Sequence, residues 1–166
     1  MAHETLKLMS PSISHEGKIP RKYTGDGQGA QKDISPPLQW HGVPEDTKSL
    51  ALVVQDIDAP DPDGPIVPWT HWVVVNISPS LKGLPEGFSG KEEEVGGDYA
   101  DIKEGTNDWK VPRWRGPKPP PSGHRYEFKL YALDDHLHLG NKVTKEKLLD
   151  SIGGKVLAEA ELVATF

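Results

Sequence analysis

The sequence predicts a mainly β domain built on an antiparallel sheet, and three observations carry that prediction. Three long runs have strand composition, a single segment reads as a helix, and 17 Gly and 16 Pro punctuate 166 residues. Residues 6–9 form a short strand candidate. Residues 49–55 (SLALVVQ) are almost continuously apolar, as in a strand buried on both faces. Residues 69–77 (WTHWVVVNI) are rich in β-branched and aromatic side chains. In residues 124–133 (HRYEFKLYAL), alternation puts Tyr126, Phe128 and Leu130 on one face. The last nine residues alternate as well, with Ala158, Ala160, Leu162, Ala164 and Phe166 opposite Glu159 and Glu161. The runs at 49–55, 69–77 and 124–133 are too apolar for sheet edges, so they are expected to be neighbours in the centre. The helix is expected over about 145–152, with Thr144 as its N-cap and Gly153-Gly154 as its stop.

The remainder reads as loop. Residues 79–123 hold 8 Gly and 7 Pro. A connection that long inside a domain is expected to be functional or disordered. Trp109 and Trp114 favour an ordered loop packed over something, while Glu92-Glu93-Glu94 reads as solvated surface. Length fits one domain spanning residues 1–166.

Composition removes several function classes. There is no cysteine, hence no disulfide, thiolate metal site or cysteine nucleophile. The formal net charge of -6 with only four arginines argues against general nucleic-acid binding. No apolar run approaches the roughly 20 residues of a membrane span. The start MAHETLKLMSPSIS lacks the basic and apolar regions of a signal peptide, so the expected location is cytoplasmic.

Three polar clusters sit at strand ends. Asp56-Ile57-Asp58 follows the first apolar run, and two acids two residues apart on extended chain point the same way. The same residues also suit an Asx turn that caps the strand. His71 is embedded in an apolar strand, as a ligand-facing or a core histidine. A proline-stiffened loop, GPKPPPSG, delivers His124, Arg125 and Tyr126, with His124 and Tyr126 on one face and Arg125 on the other. Taken singly, Tyr126 suits a core and His124 a surface.

Together, in this order, the clusters resemble the phosphatidylethanolamine-binding protein family, which includes Raf kinase inhibitor proteins and plant flowering regulators. The matching stretches are SPPLQW (35–40), QDIDAP (55–60), WTHWVVVNI and GHRYEFKLYAL. GTNDW (105–109), GPKPPPSGHRY and the compact ending look most like the short bacterial and archaeal-type branch. The resemblance implies an antiparallel central sheet, a smaller second sheet and a few short peripheral helices. It implies a pocket for phosphate or a phosphorylated head group, lined by Asp56, Asp58, Trp69, His71, His124 and Tyr126, with the Gly116 N–H as a further donor. Ile57 stands where the family usually has proline, which loosens the turn that fixes Asp56. The resemblance also implies a binding or regulatory role, with kinases or proteases as protein partners, and no cofactor. Relatives of the short branch are often dimeric, which adds a second copy of the chain as an expected partner.

Two carboxylates repel a phosphate unless they do other work. A buried Asp accepts from a histidine, fixes its tautomer and favours its protonated form. The imidazoliums of His71 and His124 and the Tyr126 hydroxyl are then the expected donors to the anion. The alternative is a metal-dependent or acid–base hydrolytic enzyme using the same Asp/His cluster. No HExxH, GxSxG or Gly-rich phosphate loop accompanies it.

Overall fold

The computed structural model describes residues 6–24, 34–58, 69–89, 99, 101–116, 124–140 and 142–165. Its centre is an antiparallel five-stranded sheet. In chain order its strands are β3 (Ser49–Asp56), β4 (Trp69–Ile77), β6 (Lys103–Glu104), β7 (Arg125–Leu133) and β8 (Val156–Thr165). They lie in the order β6-β4-β3-β7-β8, so the three apolar runs are neighbours, with β3 between β4 and β7. A smaller antiparallel sheet joins β1 (Lys7–Met9), β2 (Leu38–His41) and β5 (Gly83–Leu84) in the order β1-β2-β5.

Alternation sorts the strand side chains onto two faces, and both faces are buried. Leu50, Leu52 and Val54 of β3 join Trp72, Val74, Phe128 and Leu130 in one cluster. That cluster also takes in Leu8, Leu38, Trp40 and Leu84 from the smaller sheet. Ala51 and Val53 turn the other way and pack with Val73, Val75, Tyr131, Leu133, Leu148 and Ile152. The molecule is therefore layered: small sheet, large sheet, then helix. Two apolar faces explain why β3 reads as an unbroken apolar run rather than an alternating one. Each fully buried Leu, Val or Phe contributes about 1.5–3 kcal/mol relative to exposure.

The helix, α1 (Lys145–Ser151), begins where the hydroxyl of Thr144 accepts from the Lys147 N–H. It ends at Ile152, and Gly154 follows with φ 76°. Strands β2, β5 and β6 and a 3-10 turn at Arg21–Tyr23 were not legible in the sequence. β5 and β6 have two residues each and carry no periodicity; their partners on β2 and β4 define them.

The described part of the long segment packs onto the sheet through its tryptophans. Trp114 is buried, packs against Trp72 and Phe128, and donates from Nε1 to the Tyr23 carbonyl at 3.0 Å. Trp109 is half-buried. Residues 92–94, the 117–123 stretch of the proline-rich loop, Pro60, the first five residues and Phe166 lie outside the described residues. Among the described residues, no helix is long and apolar enough to cross a membrane.

Candidate functional site

The site lies where β3, β4 and β7 end side by side. Asp56, the last residue of β3, stands opposite Trp69 on β4 and Tyr126 on β7. A register shift in the β3–β4 pairing between Val54 and Gln55 puts Trp69 and His71 on the face of β4 that Tyr126 shares on β7, although Val73 and Val75 face the other way. His124 immediately precedes β7. The rings of His71 and Tyr126 meet edge-on, with centroids 5.4 Å apart.

Asp56 is buried and accepts from several donors at once. Its Oδ2 is 2.7 Å from His124 Nδ1, and its Oδ1 accepts from the Asp58 N–H at 2.8 Å. The Tyr126 hydroxyl also donates to it. Burial first, and then the charge and hydrogen bond of Asp56, push the Tyr126 phenol far above its ordinary range. Tyr126 is therefore a neutral hydroxyl at any physiological pH. The Asx turn and the histidine contact, alternatives in the sequence, coexist on the two oxygens of one carboxylate.

Asp58 does something else. β3 stops at Asp56, so residues 57 and 58 are turn and the two acids do not point the same way. Asp58 Oδ2 accepts from the backbone N–H and the Nε of Arg125, and Oδ1 accepts from Nη2, each at 2.8 Å. This bidentate pair, opposed by modest burial, draws the Asp58 carboxyl down to about 2. Arg125 is exposed and turned away from Tyr126, as alternation requires. Asp58 thus stitches the β3 end to β7 on the outer side, and Asp56 faces the histidine.

His71 is almost fully buried. Its Nδ1 lies 2.6 Å from the Arg115 carbonyl, and the Arg115 N–H donates back to the His71 carbonyl at 3.2 Å. A carbonyl oxygen only accepts, so Nδ1 carries the hydrogen. The neutral ring then has its lone pair on Nε2, and Nε2 becomes a donor only in the imidazolium. His124 has the same design, with Asp56 as the Nδ1 acceptor.

Gly116 follows Arg115 directly. A Cβ at this position would stand 2.1 Å from the Tyr23 carbonyl oxygen and 2.6 Å from the Thr24 Cα. Only glycine lets the two backbones approach so closely.

Two residues of the site were not assigned to it from sequence. Trp109 meets the ring of Trp69 at 5.5 Å and that of His71 at 4.8 Å, both edge-on. The Arg115 guanidinium lies over Trp109, 4.9 Å from the ring centroid. Buried Asn107 holds this loop in place: its Oδ1 accepts from the N–H groups of Trp109 and Val111, and its Nδ2 donates to the Arg113 carbonyl. Asp108 adds a tie to β4 by accepting from the Thr70 N–H at 2.7 Å. The sequence offered GTNDW as a motif, but nothing in it says that this turn doubles back onto β4. Among the described residues, no group of three or more His, Asp or Glu side chains has a metal-holding arrangement.

Known proteins share this architecture and sequence. The family model described as phosphatidylethanolamine-binding protein matches residues 9–166. A UPF0098 protein of Methanothermobacter thermautotrophicus is 41% identical over 161 residues, covering 97% of this chain and 98% of that protein. One from Chlamydia muridarum is 39% identical with the same coverage. Among solved structures, a putative phosphatidylethanolamine-binding protein homolog from Chlamydia trachomatis superposes with a TM-score of 0.81 at 37% identity, covering 98% of this chain and 97% of that one. E. coli YbcL, described as a member of the mammalian family, gives a TM-score of 0.80 at 27% identity, with 98% of each chain covered.

Proposed function

The chain belongs to the phosphatidylethanolamine-binding protein family, and from that premise we propose that its site binds a phosphate-like anion between His71 and His124. One observation carries the reading: each histidine has its Nδ1 tied to a fixed acceptor, the Arg115 carbonyl or the Asp56 carboxylate. That tie fixes each ring's orientation and leaves Nε2 as the atom whose protonation changes what the site can bind. Protonated, the two rings offer charged N–H donors, which are stronger than neutral ones. Asp56 faces His124 rather than the ligand, and the adjoining Asp58 is neutralised by Arg125. The repulsion expected of two carboxylates is thereby reduced.

In this reading Tyr126 supports Asp56, because its proton is already committed there, and Trp69 is a wall. The Gly116 N–H is a further donor that the reading does not depend on. The protein acts by binding rather than by catalysis. Occupancy of the pocket would modulate a kinase or protease partner in the cytoplasm, with a homodimer as one working state.

Phosphate titration followed by histidine ring chemical shifts tests this. His71 and His124 should move together and saturate, while His3, His15, His41, His136 and His138 stay still. Saturable movement of the other five alone would remove the site.

A further inference from the structure

Arg115 is the cation that the sequence left out of the site. Its backbone is paired with His71 in both directions, and its guanidinium lies over Trp109, whose ring touches His71. Three separate ties therefore hold this residue beside the histidine. Among the described residues, no carboxylate pairs with its guanidinium, although Arg125, ten positions on, is paired with Asp58. Stacking on an aromatic face uses the plane of the guanidinium and leaves the N–H groups around its edge unspent. Arg115 is half-buried, so a charge there is screened less than one on open surface. Two acids of the site are otherwise engaged: Asp108 accepts from the Thr70 N–H, and Asp56 from His124.

Trp69 adds to the picture. Among the described residues it is one of the few large apolar side chains that are exposed, at 39%, and its ring stands edge-on to Trp109. The rim beside His71 thus consists of an indole face and a guanidinium that no carboxylate among the described residues neutralises. A zwitterionic head group, with an ammonium beyond its phosphate, would bring a positive charge toward this arginine. A head group with a second anionic centre would complement it.

We propose that Arg115, presented over Trp109, contacts a second anionic group of the ligand, so that the site selects phosphoryl compounds carrying a carboxylate or a second phosphate. The proposal rests on the anion reading above and narrows it. It applies equally to a free metabolite and to a lipid head group, since both can present a phosphoryl and a carboxylate together.

Phosphoserine and phosphoethanolamine isolate the effect, because they differ by one carboxylate. Calorimetry of the whole chain should find phosphoserine bound roughly fivefold to tenfold more tightly, as for one partly exposed charge-assisted contact. Arg115→Gln should erase that preference, lowering phosphoserine affinity roughly fivefold to tenfold more than phosphoethanolamine affinity, and an unchanged melting curve shows that the variant is folded. Vesicles containing phosphatidylserine, compared with soluble phosphoserine, then separate the lipid source from the free one. Equal affinities in the unaltered protein, or an equal loss for both ligands in Arg115→Gln, would overturn the inference and leave the anion site standing. Binding of neither ligand would remove the anion site and the inference together.

Discussion

At the scale of single residues, Asp58 is the clearest electrostatic element of the molecule. Its carboxyl is drawn from the usual 3.8 down to about 2 by the hydrogen bonds and charge of Arg125. A depressed carboxylate stabilises the fold above its unfolded pKa, and that contribution disappears as pH falls through the folded value. Melting temperature should therefore drop between about pH 4 and pH 2, and Asp58→Asn should flatten the decline in that window. Identical slopes for the two proteins would show that the pair does not contribute. Gly116 makes a steric prediction: Gly116→Ala should cost about 1–3 kcal/mol in denaturant unfolding, because the Tyr23–Thr24 backbone must shift. A neutral substitution there would mean that this backbone yields freely. Residue identities at the site were legible, but their division of labour was not. An Asp-x-Asp on extended chain points one way; here the strand ends at the first acid, and the second turns outward to Arg125.

At the scale of elements, what could be read was whatever carried a period. The long strands and α1 show their partners in their own composition. β3 buries alternate residues in two different clusters, so Leu52→Ala should cost about 2–5 kcal/mol. Thr144→Ala removes the N-cap of α1 and should cost about 0.5–2 kcal/mol. Because α1 packs on the face of the sheet opposite Tyr126 and Phe128, that loss should leave anion affinity unchanged, which a phosphate titration of the variant checks. The strands β2, β5 and β6 were not legible because short ladders are fixed by distant backbone partners. The loop around Asn107 was illegible for the same reason: a buried amide with three hydrogen bonds to its own loop looks like any polar residue in a list of letters.

For the whole molecule, the decisive feature is the convergence of three strand ends and one returning loop. Asp56, His71 and Tyr126 come from three strands that the chain visits in the order β3, β4, β7, with His124 just before β7, and antiparallel pairing brings these strand ends together. The order and spacing of the motifs made that convergence legible through the family resemblance, whereas Trp109 and Arg115 arrive by a path the motifs do not describe. If the histidines supply the charge, anion binding must take up protons, and affinity must fall as they are lost. Calorimetric titration with inorganic phosphate from pH 5.5 to 8.5, in buffers of different ionisation enthalpy, measures both quantities at once. The expected result is proton uptake on binding and affinity that declines with rising pH, together with a tenfold to hundredfold loss in His124→Ala at the low end, as for one charged hydrogen bond of about 1.5–3 kcal/mol. Constant affinity with no proton uptake would contradict it, leaving the anion to neutral donors and the histidines as wall.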